Sequence, residues 1–338
     1  MGNCRNGGTK LDLLTREIGN YFEERNRAWI TGNIDKLVDE SGGRADNDWI
    51  LELRHHIARK RQAMRYRNGQ LLRAHSQISV RTLDISGDNA EAEIVEWIKW
   101  VYRDGQDFGT EARIIEHRQE WRRMDRHWRL VKAAEADEQN YQPQDAQAYM
   151  KPEGDRDEGD GAGLHPDYRY CQSYDRVRAQ RYADLWWNSA NPAFLYFQND
   201  CTNFVSQCLY SAGAPMRQTG NDRSRGWWYD FQGEAKSEQW SYSWAVSQAL
   251  YSYLLESVGA KIVAQPQELN MGDLVFYDWN DSGRFQHTAI VADFDSQGNP
   301  LVNAHSVPSF HRHYLYLDSG AWTPRTRYAY VHLPKDIC

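Results

Sequence analysis

The chain has 338 residues, enough for one large domain or two ordinary ones. Hydrophobic residues make up 41% and charged residues 26%, a globular balance, and the net charge of −7 comes without a basic run that would suit nucleic acid. No apolar run reaches the roughly eighteen residues of a membrane span, and Met1 to Asn6 lack the apolar core of a secretory signal, so no leader is expected within this sequence.

The first part reads as helices followed by strands. Residues 11–31 carry Leu14, Ile18, Tyr21, Phe22 and Trp29 at helical spacing. Residues 34–40 make a short second helix, and Asp46 is placed to cap a third that runs towards Arg65. The period then changes. Residues 71–85, 90–102, 111–124 and 127–134 alternate β-branched and aromatic side chains with polar ones, and Gly87-Asp88-Asn89, Asp104-Gly105-Gln106 and Met124-Asp125-Arg126 mark the turns. Helices followed by long antiparallel strands predict an α+β domain over 1–136, similar in element order to a nuclear-transport-factor-like cone. Its histidines, His55, His56, His75, His117 and His127, are scattered and read as surface residues. Residues 137–165 begin with Gln-rich and acidic pieces and lead into Lys151–Gly161, which has almost no apolar side chains, the composition of a flexible linker.

A second domain is expected over 166–338. Residues 174–188 predict a helix that ends before Asn191-Pro192. The stretch 200–209 follows, polar at first and then apolar, with Phe204, Val205, Cys208 and Leu209 as one stripe. Cys201 therefore opens a buried helix, where the terminal N–H groups and the helix dipole favour a thiolate. Residues 243–259 predict another helix, and residues 271–277, 287–292, 301–305 and 328–333 predict strands. The five cysteines, at 4, 171, 201, 208 and 338, show no zinc-site spacing, and Cys201 and Cys208 lie about 10 Å apart along one helix. No disulfide framework, metal or cofactor is expected. A thiol nucleophile needs a base, and the base needs an orienting partner. His287 opens an apolar strand that would hold it rigidly. Asn303 and His305 share one face of the next strand, and either is placed to orient the imidazole.

The segments Asp200-Cys201-Thr202-Asn203-Phe204-Val205-Ser206-Gln207, Gly272-Asp273-Leu274-Val275-Phe276 and His287-Thr288-Ala289-Ile290-Val291 resemble a family signature. Over about residues 168–333 the chain resembles the family called "putative amidase domain", within the papain-like NlpC/CHAP superfamily of cell-wall cysteine peptidases and amidases. The resemblance implies a Cys–His–polar triad on a half-barrel sheet packed by the cysteine helix. It makes Cys201 the nucleophile, His287 the general base, and Asn303 or His305 the third member. Tyr196, Asp200, Trp227, Trp228 and Trp244 are then expected to support or line the substrate groove. The implied substrate is a peptide or peptidoglycan amide, and the implied place is the cell wall or the extracellular space. A binding module without turnover, or an acyltransferase that resolves the same thioester with an amine or lipid, are the alternatives.

Overall fold

The structure, a computed structural model, describes residues 9–40, 48–138, 171–218, 222–231 and 240–338. Most of the expected linker, Asp46 and Cys4 lie outside the described residues. The chain divides into two compact units, one of Met1–Asp137 with Leu317–Gly320, the other of Glu138–Tyr316 with Ala321–Cys338. The class is α+β, helices with antiparallel sheet. No helix among the described residues is long and apolar enough to cross a membrane.

In the first unit, α1 (Lys10–Thr31), α2 (Asp35–Glu40) and α3 (Asp48–Tyr66) precede β1 (Gly69–Ser86), β2 (Asn89–Asp104), β3 (Asp107–Met124) and β4 (His127–Glu135). Thr9 and Asp12 close a capping box on α1, and Gly32, at φ +78°, ends it. The strands pair in sequence order, β1 with β2, β2 with β3 and β3 with β4, all antiparallel. Their alternating side chains bury Ile94, Ile98, Trp100 and Trp121 against Leu14, Ile18, Phe22 and Ile57 of the helices.

This unit also buries charge. Arg25, fully buried, holds Glu96 at 2.7 Å and Glu135 at 2.8 Å, and His117 Nε2 lies 3.0 Å from Glu96. Burial pushes the Glu135 carboxyl up, but Arg25 and the histidines His56 and His117 outweigh it and hold it well below the carboxylate range. His117 is therefore not the surface residue that the sequence predicts, because β3 points it inward at Glu96. The segment Leu317–Gly320 brings Asp318 between Lys60 and Arg113 of this unit.

The second unit is built on the strand order β10 (Ser309–His313), β9 (Pro300–Ala304), β8 (His287–Phe294), β7 (Leu274–Asp278), β11 (Arg327–His332) and β6 (Lys261–Val263). β7 and β9 are buried along their whole length, so both faces of the sheet are covered. One face carries Leu274, Phe276 and Ile290, packed with Phe204, Val205 and Cys208 of the Cys201 helix. The other carries Val275, Tyr277, Ala289 and Val291, packed with Val302, Trp279 and Tyr316. Asp273 fastens the start of β7: its carboxylate bonds Arg176 at 2.6 Å, the Asn270 N–H at 2.8 Å, His332 at 2.7 Å and the Leu333 N–H at 2.9 Å. The helix expected over 243–259 is broken. Val246 is extended (φ −121°, ψ 123°) between Tyr242–Ala245 and Ser247–Tyr253.

The absence of a disulfide, expected from the odd cysteine count, is corrected: Cys171 and Cys338 are bonded. The ribbon of β5 (Gln172–Ser173) and β12 (Asp336–Ile337) pairs Gln172 with Ile337 and brings the two sulfurs together across 167 residues of sequence. The bond closes the whole second unit into one loop, so the Cys171→Ser, Cys338→Ser double variant is expected to lose about 2–5 kcal/mol in urea denaturation.

Candidate active site

Cys201 is the first residue of helix Cys201–Ser211, which follows helix Arg176–Trp186 and the loop 187–200. The cysteine helix forms because Phe204, Val205, Cys208 and Leu209 make a continuous apolar stripe, each at most 1% exposed. Asp200 precedes it but makes no side-chain cap on the helix. Its carboxylate instead accepts from the Phe197 N–H at 3.0 Å and from Asn203 Nδ2 at 2.8 Å, and pairs with His305 Nδ1 at 2.7 Å. The Cys201 N–H, one of the unpaired donors of a helix start, donates to no acceptor among the described residues.

The sulfur sits in a buried polar ring. Asn199 Oδ1 lies 3.5 Å from Sγ, Thr202 Oγ1 3.7 Å and Ser247 Oγ 3.8 Å, and the two hydroxyls are 2.8 Å apart. The Val246 break makes Ser247 the first residue of its own helix, which brings its hydroxyl to this ring. Burial pushes the Cys201 thiol up. The charge and hydrogen bond of His287, with bonds from the Thr288 backbone and Thr202, outweigh burial and bring the thiol down to about 7. Cys208, two turns along the same helix and buried without such donors, is pushed well above the ordinary thiol range.

His287 is the first residue of β8 and is 4% exposed. Its ring lies against Tyr277, directly opposite on β7, at 5.3 Å, Trp279 at 5.8 Å and Tyr316 at 5.4 Å. Its Nε2 is 3.5 Å from the Tyr316 hydroxyl.

The two residues expected to complete the triad are engaged elsewhere. Asn303 stands opposite Ile290, three residues beyond His287 and on the other pleat of the sheet. Its amide donates to Asp184 at 2.8 Å and its carbonyl accepts from the His311 N–H at 2.8 Å. His305 uses both ring nitrogens, Nδ1 on Asp200 and Nε2 on the Trp186 carbonyl at 2.8 Å, and stacks on Phe204 at 4.0 Å. The expected groove lining is also corrected. Trp227, Trp228 and Trp244 are buried, with their indole N–H groups on Ser206, the Arg225 carbonyl and Asn203. A buried indole needs an acceptor, and the polar residues of the cysteine helix provide two of the three. Tyr196 is 59% exposed on the loop before Cys201. The structure thus unites Cys201 with His287. It adds Asn199, Thr202, Ser247 and Tyr316, of which only Asn199 and Thr202, flanking the cysteine in sequence, carried a local signal.

Residues 173–331 match the family described as "Putative amidase domain". The "Uncharacterized protein YhbB" of Bacillus subtilis (strain 168) is 45% identical over 166 residues, 48% of this chain and 51% of that protein. The chain therefore spans about half the length of the curated relative it matches. Among solved structures, the intermembrane space region of the chloroplast protein ARC6 covers 36% of this chain and 94% of its own at 14% identity. Its TM-score of 0.27 is too low to carry any argument.

The two free cysteines of the second unit, Cys201 and Cys208, should differ sharply towards iodoacetamide. Labelling of Cys201, mapped by mass spectrometry, should rise with pH through a midpoint of about 7, and Cys208 should stay unlabelled in the folded protein. In His287→Ala only burial and the weaker donors remain, so the Cys201 midpoint should move upward, above the ordinary thiol value.

Proposed function

We propose that the second unit is a papain-like cysteine amidase or peptidase that hydrolyses an amide bond through a thioester. The observation that carries this reading is the Cys201 thiol at a helix start, brought down to about 7 by His287. A purely structural buried cysteine, as Cys208 illustrates, is pushed the other way. The amidase-domain match over residues 173–331 supports the same reaction class. The order of parts supports the papain-like reading: a cysteine helix packed on an antiparallel sheet, with the histidine opening the strand that runs beneath it.

In this reading the Cys201 thiolate attacks the amide carbonyl and forms the C–S bond. Negative charge collects on the carbonyl oxygen, where the Cys201 N–H at the helix start donates to it. The Asn199 carboxamide, whose Oδ1 accepts from the thiol at 3.5 Å before reaction, turns its Nδ2 to the oxyanion as the second donor. The His287 imidazolium gives its proton to the nitrogen as the C–N bond breaks, and the amine leaves. His287, now neutral, takes a proton from water, and the hydroxide attacks the thioester. The acid departs and thiolate and imidazolium are restored. By resemblance the substrate is a stem peptide of peptidoglycan or a related peptide. The exposed aromatics Tyr196 on the loop before Cys201 and Phe231 are suited to stack against it.

Purified protein incubated with peptidoglycan fragments, read by mass spectrometry of released amine and acid ends, tests this directly. Cleavage should fall at least about 1,000-fold in Cys201→Ala and in His287→Ala. Asn199→Ala should lose about 10- to 100-fold in kcat with little change in KM, as expected for a donor that acts mainly in the transition state. Specific binding of fragments without any cleavage by the wild type would replace the hydrolase by a binding module.

A further inference from the structure

We infer that Tyr316 is the group that orients His287, a place that the adjoining strand residues Asn303 and His305 do not fill. The inference rests on the cysteine-hydrolase reading and names a positioning residue within it.

Four observations carry it. The Tyr316 hydroxyl is 3.5 Å from His287 Nε2, a long contact of the kind that tightens when the imidazole becomes charged. This leaves Nδ1 as the ring nitrogen for the thiol. The Tyr316 ring is 1% exposed and held on several sides: the Arg312 guanidinium lies 3.8 Å from its centroid, Tyr277 at 5.0 Å and Trp279 at 6.0 Å. Arg312 is itself buried and paired with Glu138, so the ring is clamped by a cation whose charge is offset. Finally, Tyr316 has φ +52°, a left-handed conformation that a bulky residue adopts only under constraint. Such strain persists where the surroundings over-determine it, and here it aims the hydroxyl at His287.

The task of an orienting group is to hold one tautomer. With Nε2–H donating to the phenol oxygen, Nδ1 is free to exchange its proton with sulfur and with the leaving nitrogen. The titratable and charged groups facing His287 are Cys201 from the helix, Tyr277 from β7 and Tyr316 from the turn after β10, with Arg312 behind the last. Tyr277 is a poor alternative. Among the described residues its hydroxyl has no hydrogen-bond partner, the imidazole included, and burial pushes its phenol well above the ordinary range.

Tyr316→Phe keeps the ring for Arg312 and removes only the hydroxyl. Iodoacetamide labelling of Cys201 across pH should then show its midpoint raised by about one pH unit, so that labelling below the wild-type midpoint slows by up to about tenfold. With substrate, kcat should fall while KM holds. A midpoint equal to the wild-type value overturns the inference. A second measurement needs no folded variant: ¹⁵N NMR of the full-length wild type, with His287 assigned by its loss in His287→Gln. At a pH high enough to leave the ring neutral, it should carry its proton on Nε2, and an Nδ1–H ring overturns the assignment. The outcomes also separate the two readings. A wild-type Cys201 that labels only like an ordinary thiol defeats the hydrolase reading, and the tautomer still decides Tyr316. A low wild-type midpoint shared by Tyr316→Phe defeats Tyr316 alone.

Discussion

The buried pair of Asp200 and His305 is the constraint on which the site depends. At 2.7 Å, with both side chains about 95% or more removed from solvent, it joins the residue before Cys201 to the end of β9. The Asp200 N–H donates to Ser306, one residue further along the same turn, and the carboxylate also holds the Phe197 N–H and Asn203. One residue thus fixes the loop before Cys201, the first turn of the helix and the end of the strand. Burying two ionisable groups is costly unless each meets its hydrogen bonds, and here each does. His305 completes its share on the Trp186 carbonyl and on the face of Phe204. The histidine placed by sequence as a triad candidate therefore holds the backbone before Cys201 and makes no contact with His287 among the described residues.

The same logic explains why the cysteine helix is polar in a buried place. Asn203 accepts from the Trp244 indole and donates to the Leu195 carbonyl, Ser206 accepts from Trp227 and donates to the Trp244 carbonyl, and Gln207 accepts from Tyr182. Each is an acceptor that a buried aromatic donor requires. Trp227 and Trp244, 4.9 Å apart, then act as a wall behind the helix. A run of tryptophans near a reactive cysteine invites a groove reading, but burial at 2% for Trp227 and 0% for Trp244 places them in the core.

Much of this was legible in the sequence. Period-2 alternation and Gly-Asp-Asn-type turns located all four long strands of the first unit to within a few residues, because each buries one face and solvates the other. That Cys201 opens a helix and His287 opens a strand was legible because element starts are local features. What was not legible depends on contacts across the chain. The pleat that separates Asn303 from His287 is set by strand register, which a one-residue slip reverses. Tyr316 comes from a turn after a strand too short and polar to declare itself, and the disulfide from a two-residue ribbon joining residues 167 apart. His117 looked like one histidine among several until β3 turned it towards Glu96.

The thiol shows most plainly how opposing effects set the chemistry. Burial alone would hold Cys201 protonated, as it does Cys208 on the same helix. The fall from an ordinary value of 9.0 to about 7 favours the thiolate by about 3 kcal/mol relative to a free thiol. Because burial acts against it, the favourable part must be larger, and it comes first from the charge of His287. That attraction acts in dry surroundings, since His287 is buried with Tyr277, Trp279 and Tyr316 packed around its imidazole. The aromatic wall therefore does two opposed things. It raises the cost of forming either charge alone and strengthens the pair once both are formed. A site built this way depends on geometry more than on composition, since a small displacement of the imidazole would leave the thiol with the cost of burial and without its partner.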